Sequence, residues 1–160
     1  MQALRDLIDA SGVFTIEVIR DGKHGPEVIQ RVVAPNLVVN TGKKQIWRIA
    51  NGVSTKTWDQ MRIGTSPAAA VSADTNVKSP VASTLKTVDS FSLLAGTRTA
   101  QWVKSYPSGG GSISATGIRE VCILNQNTSP GGSALNRSVF ATVTKTTSDK
   151  LKITYQARIT

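Results

Sequence analysis

The segment KLKITYQARI at residues 150–159 alternates without interruption: Leu151, Ile153, Tyr155, Ala157 and Ile159 take one side, Lys150, Lys152, Thr154, Gln156 and Arg158 the other. Successive side chains of a strand point to opposite faces, so this period of two specifies a strand with one face in a core and the other basic and wet. Such a strand needs paired neighbours and a covering layer, and the remaining sequence has to supply both.

The neighbours are legible. VFTIEVIR (13–20) and PEVIQRVVA (26–34) flank DGKHG and read as a β-hairpin with a five-residue loop, Pro26 opening the second strand where its missing N–H matters least. In NLVVNTGKKQIWRIANG (36–52) a short strand runs into a helix of about ten residues. Asn40 and Thr41 are its N-cap candidates and Gly52 its C-cap; Ile46, Ile49 and Ala50 share one face, and Lys43, Lys44 and Arg48 lie toward the other. WDQMRI (58–63) is a short strand that breaks at GTSPAAAVSADTNVKSPV, a long run of small residues with Pro67 and Pro80, expected as an ordered excursion clamped by a neighbour. TLKTVDSFSLL (84–94) and TRTAQWVKSYP (97–107) resume the strands, and SGGGS is a turn. IREVCIL (118–124) is apolar enough on both faces for a central strand. NQNTSPGGSAL (125–135) is a loop, 135–144 another strand, and TTSDK (146–150) the turn into the last one.

About eight strands, antiparallel connections, one short helix and no βαβ rhythm define the expected fold: an all-β, single-domain antiparallel β-sandwich or jelly-roll-like barrel over residues 13–160. Residues 1–12 place Leu4, Leu7 and Ile8 at helical spacing before Ser11 and Gly12, which reads as an N-terminal arm or short helix. No stretch approaches the ~18 apolar residues of a membrane span, and Arg5, Asp6 and Asp9 interrupt the place of a secretory signal, so a soluble chain with no membrane partner is expected.

Charge and chemistry narrow the function. The 160 residues carry 19 Lys and Arg against 10 acidic residues, a net +9, enough to attract an acidic protein or a nucleic acid. Beyond Lys43 and Lys44 these cations are scattered, the pattern of a solvated or protein-contacting face more than of a nucleic-acid stripe. A sequence-tolerant nucleic-acid binder using Lys43, Lys44, Arg48 and Trp47 is the alternative from another class. The single cysteine, Cys122, permits no intrachain disulfide and no multi-cysteine zinc site, and within EVCIL it reads as a small buried hydrophobe. His24, the one histidine, sits in the hairpin turn with no local partner for general-base work. Asp6/Asp9 and Glu17/Asp21 read as surface charge, and GGGS and PGG lack the Lys-Ser or Lys-Thr ending of a phosphate loop. No enzyme, cofactor or metal is therefore expected. Trp47, Trp58 and Trp102 are widely spaced and read as core or subunit-interface residues. The expected partner contacts are Leu4, Leu7, Lys43, Lys44, Arg48, Trp58 and Trp102.

The order of NLVVNTGKKQIWRIANG, MRIGTSPAAAVSADTNV, GIREVCIL and LNRSVFATVTKTTSDKLKITYQARI resembles small tailed-bacteriophage virion proteins. In that group an Asn-Leu-Val-x-Asn-x-Gly strand-to-helix segment precedes an Ile-Gly-Thr-Gly-like turn rich in Ala, Ser and Asp, with a late Ile-x-Glu strand and a closing hairpin. The similarity spans roughly residues 14–160 and departs at Ser66, where the group has a second glycine, and in its strong positive charge. The resemblance implies a non-enzymatic virion part: a decoration (cement) protein on the capsid exterior, or a tail or baseplate accessory protein. Its partners would be the major capsid protein or other virion subunits, and it would itself form a homo-oligomer, a trimer or a dimer.

Overall fold

The computed structural model describes residues 10–53, 57–109, 113–125 and 133–159. Among these the elements are β1 (Ala10–Gly22), β2 (Gly25–Pro35), β3 (Leu37–Val38), α1 (Asn40–Ala50), β4 (Gln60–Gly64), β5 (Lys86–Thr87), β6 (Ser90–Leu93), β7 (Thr99–Tyr106), β8 (Ala115–Leu124), β9 (Ala134–Lys145) and β10 (Asp149–Ile159). They build two five-stranded sheets, ordered β2-β1-β10-β7-β6 and β3-β9-β8-β4-β5, with every pairing between named strands antiparallel. Each sheet keeps two edges, so the domain is an open two-layer β-sandwich and not a closed barrel.

The alternating segment 150–159 lies in β10, at the centre of the first sheet between β1 and β7. Its register sets Ile153 beside Ile16 and Tyr155 between Phe14 and Trp102. Phe14 stacks on Tyr155 at 4.5 Å between ring centroids, and Trp102 follows at 5.4 Å. Met61, Ile63, Ile118, Val121 and Ile123 complete the core from the second sheet. Each such side chain contributes about 1.5–3 kcal/mol by leaving water.

β8 is the central strand expected from IREVCIL, lying between β9 and β4 with both faces covered. Val121 and Ile123 enter the core between the sheets, while Cys122 and Leu124 join a smaller cluster with Val39, Val77 and Ala134. This second cluster exists because residues 65–83 fold back over the outer face of the second sheet.

Several expectations are corrected. The β1–β2 hairpin turns on Lys23 and His24 alone, since Gly22 pairs with Gly25 and Asp21 with Pro26; the five residues of DGKHG are mostly strand. The strands number ten among the described residues rather than about eight; the segment TLKTVDSFSLL, expected as one strand, divides into β5 and β6, which belong to different sheets. The helix is capped at Val39 without a side-chain hydrogen bond. Asn40 and Thr41 spend their groups elsewhere, the Asn40 N–H on Ser72 O (2.8 Å) and the Thr41 hydroxyl on Ala134 O (3.0 Å). Gly42 and Gln45 are the residues α1 buries; Ile46 packs on the core, but Ile49 and Ala50 are exposed. A Cβ on Gly42 would overlap the Leu135 carbonyl, so glycine is what lets the helix lie against β9. Gly52 closes the helix as expected, at φ +68, with its N–H on Ile49 O and the Val53 N–H on Arg48 O. β1 begins at Ala10, inside the expected arm; Leu4, Leu7 and Ile8 lie outside the described residues, as do the centre of SGGGS and residues 126–132.

Candidate functional site

Two features on opposite sides of the sandwich organise its surface. The first is a buried ionic clamp. Glu120 on β8 and Arg137 on β9 point outward from the second sheet, where bare charge would be prohibitive to bury, yet both are inaccessible to water. The excursion 65–83 supplies their partners. Glu120 accepts the backbone N–H groups of Ser66 (3.1 Å), Ser79 (2.8 Å) and Lys78 (2.9 Å), and its Oε2 meets the Arg137 guanidinium at 2.7 Å. Arg137 in turn donates to Ala68 O (2.9 Å), Ala69 O (3.2 Å) and the Asp74 carboxylate (3.0 Å). Every nitrogen of the guanidinium fork thus donates, Nε reaching Glu120 Oε2 at 2.8 Å, and Asp74 also accepts the Val71 N–H. Gly64 makes the approach possible, because a Cβ there would collide with the Glu120 carboxylate and Ser79 O.

The neighbours that clamp this excursion are β8 and β9 of the same chain. The product of the clamp is a fixed ledge: Pro67, Ala68 and Ala69 are exposed above the buried charges. Pro67, Ala69 and Ala70 face Leu37 and Val139 across an open groove of about 360 Å³. Ser66, the departure from the second glycine, fits here by giving its N–H to Glu120 and accepting the Ala68 N–H at 3.2 Å.

The second feature is the outer face of the first sheet. Because Leu151, Ile153 and Tyr155 face the core, Lys150, Lys152, Thr154, Gln156 and Arg158 face away from it. Register brings Lys152 and Arg31 to either side of Glu17, at 4.0 and 3.7 Å, and Lys150 beside Ile19. Four cations thus share the body of this face with one carboxylate. Its β2 margin carries exposed Val28 and Val33. Apolar and basic surface lie side by side.

The expected contact residues fall into separate places. Lys43, Lys44 and Arg48 are exposed along α1, on a different element from the basic sheet face. Trp102 is corrected: it is buried, donates its indole N–H to Trp58 O (2.9 Å) and is covered by Phe91 at 5.0 Å. Trp58 is half-buried against the same core. What is exposed at that margin is Phe91 and Leu93, at 54% and 75%. Sequence reading passed over them, although the alternation SFSL in a four-residue strand was the available signal. Glu120 and Arg137 were likewise missed; an acidic residue directly before the apolar run VCIL and a basic residue within LNRSVF were the available signal of a buried pair.

The residues considered for catalysis are placed as follows. His24 is exposed at the tip of the β1–β2 turn. Cys122 is buried, and burial pushes its thiol up to about 12, leaving it protonated and unreactive at neutral pH. Among the described residues no three of His, Cys, Asp and Glu gather in metal-ligating geometry. None of the described helices is long and apolar enough to cross a membrane. No protein-family model, curated protein or solved structure matches the chain.

Proposed function

We propose that the chain is a structural virion protein of a tailed bacteriophage, acting as a capsid decoration (cement) protein that binds the shell exterior and stabilises it. The observation that carries this reading is the outer face of the first sheet, where Arg31, Lys150, Lys152 and Arg158 share a surface whose β2 margin exposes Val28 and Val33. A basic surface with an apolar margin is complementary to an acidic protein surface, which steers encounter through charge and retains the partner through burial. The resemblance of residues 14–160 to small virion proteins supplies the partner class, the major capsid protein or another virion subunit. The self-clamped ledge of 65–83 adds a second, preorganised surface, so little ordering entropy opposes docking there. Many copies on a lattice then multiply modest contacts, and each bound copy stabilises the assembled shell by mass action.

The test is particle stability. Shells lacking this protein are expected to release their contents at lower temperature, and adding it back is expected to restore them. Replacing Lys150 and Lys152 together by Glu is expected to weaken shell binding by at least about tenfold. Unchanged stability of particles without the protein overturns the cement reading. Gold labelling in intact particles separates capsid from tail: label confined to the tail or baseplate establishes the accessory role instead.

A further inference from the structure

The two free edges of the first sheet differ. β2 carries Pro26 and Pro35, and its ladder with β1 is broken by a bulge where Val18 faces Gln30 and Ile19 faces Val28. Prolines and bulges are devices that stop an edge from recruiting another strand. β6, at the other edge, has the sequence SFSL: no proline, no charge and no break in its register with β7. The Leu94 N–H donates to Thr99 O (2.9 Å), one step beyond the Leu93–Ala100 pair. The alternation of an antiparallel ladder then turns the N–H and C=O groups of Phe91 and Leu93 away from β7, toward the open edge. No described strand lies beyond them. Their side chains stand in register with Trp102 and Ala100, on the core-facing side of the sheet, yet remain 54% and 75% exposed because the second sheet does not extend over this margin.

We infer that β6 pairs edge to edge with β6 of a second copy of this chain, antiparallel about a twofold axis at Ser92, joining two five-stranded sheets into one of ten. With Ser92 opposite Ser92, Phe91 of each copy lies opposite Leu93 of the other, so the outward N–H and C=O groups of both residues find partners. The same register gathers both Phe91 and both Leu93 side chains on one face, where each covers the other's apolar surface. A shift by two residues would set Phe91 against Phe91 and leave Leu93 in water. The seam is free of charge, which matters for two molecules that each carry +9. A β2–β2 seam would instead bring Arg31 and Glu27 to the contact and meet the bulge. This pairing goes beyond the virion reading and does not depend on it; its test uses the purified chain, so either can fail alone.

Sedimentation equilibrium of the purified protein is expected to give twice the 17.0 kDa chain mass. Leu93→Lys is expected to weaken association by about a hundredfold or more, with an unchanged circular dichroism spectrum, since Leu93 supports no monomer core. Ser92→Cys reads the register: opposed Cα atoms at a non-hydrogen-bonded pair lie about 4.5 Å apart, within disulfide reach. Mild oxidation should therefore link the dimer through position 92, while Val28→Cys on β2 stays unlinked; native Cys122 is buried and silent. A monomer or a trimer in solution overturns the inference. So does a dimer that survives Leu93→Lys, or one in which Ser92→Cys remains reduced.

Discussion

Arg137 shows how much one side chain can organise. Its guanidinium holds Glu120, Asp74 and two carbonyls of the excursion without any exposure to water. Removing one member of a buried ion pair strands the other, so Glu120→Ala is expected to cost about 3–5 kcal/mol, read as a lower urea midpoint. A second charged pair works at the margin: Arg20 hydrogen-bonds Asp149 at 2.7 Å, and the Thr146 N–H and hydroxyl reach the same carboxylate. The Arg20 hydrogen bond, reinforced by Thr146, holds the Asp149 carboxyl well below its ordinary value against the opposing effect of burial. The sign follows from linkage: the unfolded chain takes up this proton first, so the contribution is whole above about pH 4 and fades as pH falls toward the lower folded value. Thermal unfolding should show acid sensitivity below about pH 4 that Asp149→Asn diminishes. At the alkaline end burial raises the Tyr155 hydroxyl to about 12, partly offset by the Asn36 amide, which donates to it at 3.1 Å. Stability from that group is complete below about pH 10 and is lost as pH rises toward the folded value, because the unfolded chain ionises first.

At the level of elements, β10 was readable because its environment is simple: one face packs on the core, the other meets water, and period two records both. β8 was readable for the opposite reason, since burial on both faces of its second half leaves the unbroken apolar run VCIL. α1 was half readable. Its Gly52 stop is a local backbone requirement and shows in sequence, whereas its start and buried face depend on Ser72, Ala134 and Leu135, which no local pattern announces. Gly42→Ala should therefore destabilise by about 1–3 kcal/mol although alanine is the better helix former, because the methyl meets the Leu135 carbonyl; a lower unfolding temperature is the readout. Trp102, read as core or subunit interface and counted among the partner contacts, lies in the core, since large aromatics suit both places and here Phe91 covers it.

The molecule as a whole is a basic sandwich with a cationic outer face on its first sheet, a self-clamped ledge and an unguarded edge at β6. If the cationic face seats on an acidic shell, binding should weaken steeply as salt rises from about 50 to 200 mM, while β6 pairing, which joins uncharged residues, should hardly change; isothermal titration and sedimentation at both salts separate the two. By itself the sequence determined the all-β class, the half-buried closing strand, the central apolar strand and the basic outer face, because each is a local alternation of apolar and polar side chains. Tertiary structure alone decided that Glu120 and Arg137 meet beneath an excursion more than forty positions away from either in part, that Trp102 is covered, and that Phe91 and Leu93 are not. Those outcomes depend on which strands become neighbours and where one sheet stops covering the other, and distance in space is not written in the spacing along the chain.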